Sequence, residues 1–232
     1  MAQPWITLAS VPTKEGALDL RRRGEHDFLI TIQGRVLMSS RAHRSEDALA
    51  KLGCAGLRQK AKARVLVSGL GMGFTLRSAL DELSPDAKVV VAELNPIVAT
   101  WCEKELGALT NHAANDPRVS VKIVDVAKYI SGVAATPTAA RFDSIVLDMY
   151  EGPQTRVKPQ DPLYGPAAIG RTRKALSREG VLAVWCEGPS IGFEQSLRNS
   201  NFRFSLERVG KGTRTYYVYL AHVGSAPRVN KR

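Results

Sequence analysis

The nine residues Val65-Leu66-Val67-Ser68-Gly69-Leu70-Gly71-Met72-Gly73 constrain the fold of this chain most. A short apolar run that ends in alternate glycines reads as a buried strand entering a tight turn and then a helix. Glycine tolerates positive φ and lets a ligand lie against bare backbone, which a nucleoside or nucleotide requires at the carboxyl end of a parallel strand. Further strand-like runs follow at 88–92, 119–124, 142–147 and 180–185, separated by helical spacing at 75–83, 96–106, 127–133 and 166–176. Alternating strands and helices are the sequence form of a parallel sheet covered on both faces. The expected fold class is therefore α/β, a doubly wound and mostly parallel Rossmann-like sheet occupying residues 46–223.

The flanking segments add smaller elements. Alternation at 28–32 and 35–38 around Gln33-Gly34 predicts a β-hairpin, part of a small N-terminal β unit over residues 1–45 whose edge offers a surface for a homodimer. Ser45, followed by Glu46 and Asp47, is a candidate N-cap with acids in the first helical turn. Residues 186–195 read as a loop, 202–209 and 215–221 as an antiparallel pair, and 224–232 as a basic, disordered tail.

A chain of 232 residues with 44% hydrophobic residues is long enough for a substantial core. No apolar stretch reaches the roughly 18 to 20 residues of a membrane span, and the start lacks the pattern of a secretory signal. A cytoplasmic protein without a membrane partner is expected. Cys54, Cys102 and Cys186 are far apart and form no metal-binding pair, so reduced, partly buried thiols and no metal are expected. The formal charge of +11 attracts anions and leaves nucleic acid open as a partner, although the basic residues are scattered.

In a doubly wound sheet the strand ends face one crevice. Three acids stand at those ends: Glu93, Asp125 and Asp148. Glu93 lies twenty residues after Gly73, the separation at which a carboxylate meets ribose hydroxyls. A dinucleotide fingerprint would place its third glycine three residues after Gly71, where Phe74 stands, and a P-loop is excluded by the absent Gly-Lys-Ser/Thr. The spacing fits an adenosyl-methionine-type nucleoside site better than a dinucleotide site.

The glycine run, Ala92-Glu93-Leu94-Asn95-Pro96, Asp116-Pro117-Arg118-Val119, Asp125 with Tyr129-Ile130, Phe142 to Asp148, Asp161-Pro162-Leu163-Tyr164 and Gly180 to Val184 together resemble the spermidine synthase family. That family belongs to the class I S-adenosylmethionine-dependent methyltransferase fold. The similarity covers about residues 64 to 190, and residues 18–50 look like a shortened form of the family's β-rich N-terminal part. The resemblance implies that Gly69, Leu70, Gly71, Met72 and Gly73 hold the methionine end of the donor. It further implies that Glu93, beside Leu94, holds the ribose, that Asp125, beside Val126, holds the adenine amino group, and that Asp148 is the catalytic acid.

Three departures bear on the reaction. The family's loop usually reads Gly-Gly-Gly-Asp-Gly, and Met72 replaces its Asp, removing a site for an ammonium and a repulsion against the donor's carboxylate. After Asp148 the usual Asp-Ser/Thr-x-Asp-Pro becomes Asp148-Met149-Tyr150-Glu151-Gly152, which lacks the second Asp. Near residue 45 the family's Asp-Glu and Tyr-His give way to Ser45-Glu46-Asp47. A strongly positive chain also funnels a diamine poorly.

These departures favour a methyltransferase that uses intact S-adenosylmethionine on a small-molecule acceptor. The alternative is a polyamine aminopropyltransferase using decarboxylated S-adenosylmethionine, and a further one is a non-catalytic nucleoside- or nucleic-acid-binding module. Either transfer is an in-line attack on a carbon next to the sulfonium, accelerated mainly by positioning, with a base needed only for a protonated nucleophile. Asp148 is the candidate base, with Tyr150 and Glu151 as candidate acceptor contacts. Trp185, Cys186 and Glu187 are candidate walls of the acceptor pocket, and His43 and His112 read as surface residues.

Overall fold

The computed structural model describes residues 3–210 and 215–224; residues 225–232, most of the expected tail, lie outside them. The N-terminal unit is a four-stranded antiparallel sheet of β1 (Ile6–Thr13), β2 (Gly16–Arg23), β3 (Asp27–Ile32) and β4 (Arg35–Ser39), in that order. The hairpin expected around Gln33-Gly34 joins β3 to β4, with both turn residues at positive φ (48° and 76°), as a tight turn between twisted strands requires. Strands β1 and β2 extend the unit beyond that hairpin. Both lie within the small N-terminal β unit expected over residues 1–45, although neither was singled out there as a strand, and most of β1 is exposed. Alternate residues Leu18 and Leu20 of β2, and Phe28, Ile30 and Ile32 of β3, are buried, so this sheet turns one apolar face to the larger part of the molecule.

Helix α1 (Arg44–Gly53) leads into that larger part. Its N-cap is His43, not Ser45. His43 stacks on Phe74 with ring centroids 4.1 Å apart, and its Nδ1 lies 2.9 Å from Asp47 Oδ2. The Ser45 hydroxyl sits one residue inside the helix and donates to Glu46 Oε2 at 2.6 Å. The order then runs β5 (Arg64–Ser68), α2 (Phe74–Asp81), β6 (Lys88–Glu93), α3 (Pro96–Glu103), β7 (Val119–Ile123), α4 (Val126–Ala135), β8 (Phe142–Leu147) and α5 (Pro166–Ala175). It ends with β9 (Leu176–Cys186), α6 (Ile191–Asn199), β10 (Phe202–Val209) and β11 (Tyr216–Val223).

These strands form one seven-stranded sheet in the order β10-β11-β9-β8-β5-β6-β7. Strands β5 to β9 are mutually parallel, whereas β11 is antiparallel to β9 and β10 to β11. The doubly wound α/β expectation is met, including the final antiparallel pair. Helix α6 corrects the expected loop: Ser190 Oγ caps it by accepting from Phe193 N at 3.2 Å, and Phe193 and Leu197 are fully buried. Strand β9 starts at the end of α5, earlier than its apolar run suggested.

The sheet is buried on both faces. Val65 and Val67 of β5 point into the layer shared with α1, α2, α3 and the N-terminal sheet, while Leu66, Ile145 and Leu147 pack with α4, α5 and α6 on the other side. Strands β5 and β8 are neighbours, and the chain winds outward from them in opposite directions. Their carboxyl ends therefore flank the topological switch point, where this class of sheet opens a crevice. No described helix is long and apolar enough to cross a membrane.

Candidate active site

The glycine turn leaves β5 at the switch point. Gly69, Gly71 and Gly73 take φ of 69°, 53° and 86°, a left-handed conformation that side chains with a Cβ rarely adopt. At Gly69 part of the need for glycine is internal, since a Cβ there would lie 3.2 Å from the Asp148 carbonyl oxygen, whereas one on Gly71 would meet only the flexible end of the Met38 side chain. The turn is anchored by Glu93 at the end of β6. Glu93 Oε2 accepts from Leu70 N at 2.8 Å and Oε1 from Asn95 N at 2.7 Å. A carboxylate oxygen has a second lone pair, so both remain able to accept from ribose hydroxyls.

Around this turn lies a cleft of about 1950 Å³ between the carboxyl ends of the parallel strands and the N-terminal sheet. Gly69, Leu70, Gly71, Glu93, Leu94, Asp125 and Val126 line it, as do Asp148, Tyr150 and Glu151. Met72 and Gly73 do not. Met72 is fully buried in the core behind the loop, and Gly73 is the N-cap of α2. Leu94 is 62% exposed, an apolar surface offered to the cleft beside Glu93. Asp125 caps α4 through Oδ1, which accepts from Lys128 N at 2.9 Å, and leaves Oδ2 free. Acid, apolar surface and second acid in this order fit a nucleoside's ribose, base face and amino group.

Asp148, at the end of β8, is held from two sides. Its backbone N–H donates to Ser68 Oγ at 3.0 Å, and its Oδ2 accepts from the Thr75 hydroxyl. Burial raises its pKa to about 7, against the lowering effect of the Thr75 hydrogen bond and with a further push from the Glu46 carboxylate. A carboxyl that titrates near neutrality is matched to taking a proton from a substrate. Tyr150 lies at the mouth of the cleft with the Arg35 guanidinium 5.2 Å from its ring centroid. Trp185 and Glu187 also border the cleft, whereas Cys186 does not. All three cysteines are free and buried, and burial raises each thiol to about pKa 12, which makes them inert. Among the described residues no cluster of three His, Cys, Asp or Glu could hold a metal ion.

The cleft differs in charge from the chain as a whole. Among the described residues seven acidic side chains line it, those of Glu15, Glu46, Glu93, Asp125, Asp148, Glu151 and Glu187, against the cations of Lys14, Arg41 and Arg44. The chain's net charge is +11, whereas acids outnumber cations among the described residues that line the cleft. Sequence spacing singled out Glu93, Asp125 and Asp148 by position, but Glu46, Ser68 and Thr75 joined the site only through the fold. The flanking of the glycine run by Ser68 and Thr75 was the one signal for the latter pair.

No family model matches this chain. Among curated proteins it is 30% identical over 125 residues to a polyamine aminopropyltransferase of Mycobacterium tuberculosis (strain CDC 1551 / Oshkosh), covering 54% of this chain and 23% of that protein. It is 27% identical over 163 residues to a polyamine aminopropyltransferase of Aeropyrum pernix, covering 68% of this chain and 47% of that protein. Each match thus spans less than half of the curated relative. Among solved structures, spermidine synthase from Thermotoga maritima superposes with a TM-score of 0.70 at 20% identity, covering 94% of this chain and 73% of that one. A spermidine synthase in complex with the transition state analogue AdoDATO gives 0.68 at 20% identity, covering 94% and 72%.

These findings overturn the preference for a methyltransferase, since the named relatives are aminopropyltransferases and the structural neighbours spermidine synthases. The geometry removes two of its supports. Met72, whose neutral side chain was to admit the donor's carboxylate, is turned into the core. The positive net charge, taken as a barrier to diamines, gives way among the described residues of the cleft to an excess of acidic side chains, and Glu151 supplies an acid three residues after Asp148.

Proposed function

From its place in the spermidine synthase-like branch of the class I methyltransferase-like fold, we propose that this chain transfers an aminopropyl group from decarboxylated S-adenosylmethionine to an amine acceptor. The acidic lining of the cleft in an otherwise basic chain carries this reading. Both substrates are cations without a carboxylate, and low-dielectric walls strengthen the field of the carboxylates that face them.

The residues divide the work by position. Glu93 and Asp125 hold the nucleoside of the donor, with Leu94 against the base, and the 69–71 turn lies under the sulfonium end. Asp148 orients the acceptor amine and takes its proton. The amine nitrogen then attacks the propyl carbon attached to sulfur, the carbon–sulfur bond breaks with its electron pair going to sulfur, and a neutral thioether nucleoside leaves. Glu46, Glu151 and Glu187 attract the acceptor's remaining ammonium, and Tyr150 and Trp185 offer π faces to it.

Calorimetry with the two donors tests this directly. One added like-charge contact of about 1.4 kcal/mol corresponds to tenfold in affinity, so the decarboxylated donor is expected to bind about tenfold tighter or better than the intact one. Equal affinity, or preference for the intact donor, would overturn the assignment.

A further inference from the structure

The glycine turn is bracketed by two hydroxyls, Ser68 at the end of β5 and Thr75 in the first turn of α2, and both reach across to the same residue. Ser68 Oγ accepts from the backbone N–H of Asp148 at 3.0 Å, and Thr75 Oγ1 donates to Asp148 Oδ2. Ser68 is fully buried and Thr75 is 3% exposed, so neither competes with bulk water for that contact. The start of α2 is itself fixed from outside. Phe74 stacks on His43, His43 meets Asp47, and Asp47 Oδ1 accepts from Ser78 Oγ at 2.7 Å, which clamps the N-terminal part of α1 to α2.

We propose that Thr75 is a positioning residue that holds the Asp148 carboxyl in its reactive orientation and, with Ser68, ties it to both ends of the glycine turn. The inference rests on Asp148 being the proton acceptor of the transfer proposed above. Its physical content is one donated hydrogen bond, which favours the charged form of the acceptor. The other groups facing Asp148 are the Glu46 carboxylate on α1, which opposes ionisation, Tyr164 ahead of α5, and Tyr150 and Glu151 in the following loop. None of these supplies a hydrogen bond to the carboxyl in the structure. Thr75 is thus what counteracts burial and the Glu46 charge.

Thr75→Val keeps shape and removes the donor; Thr75→Ser keeps the donor. With the full chain labelled at aspartate 13Cγ, the Asp148 carboxyl midpoint is read by NMR, assigned by its loss in Asp148→Asn. Loss of the bond is expected to raise the midpoint by about one unit in Thr75→Val, while Thr75→Ser stays at the wild-type value. The acid limb of the kcat profile is expected to move with it, and the donor's KM to stay within about twofold, an effect under 0.5 kcal/mol. A midpoint unmoved in Thr75→Val, or moved equally in Thr75→Ser, would overturn the proposal even if activity fell. Because the midpoint needs no turnover, absence of aminopropyl product would count against the function alone.

Discussion

At the scale of the residue, the proposed mechanism rests on Asp148. Its pKa near 7 is raised first by burial, and this has a consequence for rate. Activity should rise with pH through about 7 as the carboxylate forms. Asp148→Asn is expected to lower kcat by about 10²- to 10⁴-fold, the range for a lost general base, with donor affinity little changed. The same shift has a cost in stability. The folded state holds the Asp148 proton between the ordinary carboxyl pKa and about 7 while the unfolded chain has lost it, so stability declines as pH rises through that window. Asp148→Asn should therefore melt higher than wild type at pH 8 and the same as wild type near pH 4. Equal melting at both values would show that the carboxyl is not strained in the folded state. The strand-end position of Asp148 was legible from the sequence. Its proton affinity was not, because Thr75 and Glu46 come from other helices.

At the scale of the element, legibility followed burial pattern. Strands β5, β6 and β8 each carry a run of at least three apolar residues, are buried on both faces and were read nearly to the residue. Strand β1, mostly exposed, carried no such signal, and α6 is short with Gly192 in its first turn. The loop after β8 shows what a single position contributes. A Cβ on Gly152 would lie 2.5 Å from the Trp185 carbonyl oxygen and 2.8 Å from Cys186 Cα, so only glycine lets this loop settle on the end of β9. Gly152→Ala should displace Tyr150 and Glu151 together and cost about 1 to 3 kcal/mol in denaturant unfolding. Unchanged stability with unchanged acceptor KM would mean that the loop is not held by this contact.

At the scale of the whole molecule, charge is distributed in opposition: the chain is basic, while among the described residues acids predominate in the cleft. Net charge is a sum over the sequence and says nothing of where the signs fall. Glu15, Glu46, Glu151 and Glu187 come together from four separate segments, and no spacing rule collects them. The glycine run and the strand-end acids could be placed around one crevice from sequence because one parallel sheet aligns its own strand ends. The preference for methyl transfer rested on Met72 and on the net charge; the direction of the Met72 side chain and the charge collected in the cleft undercut both supports, and neither is written in local pattern. The most direct measurement is turnover itself. Purified protein is incubated with decarboxylated S-adenosylmethionine and a set of linear diamines, and the products are resolved by mass spectrometry. The expected result is an acceptor heavier by one aminopropyl group together with an equal amount of the thioether nucleoside. Methylated acceptor formed from intact S-adenosylmethionine, with no aminopropyl product from the decarboxylated donor, would contradict it.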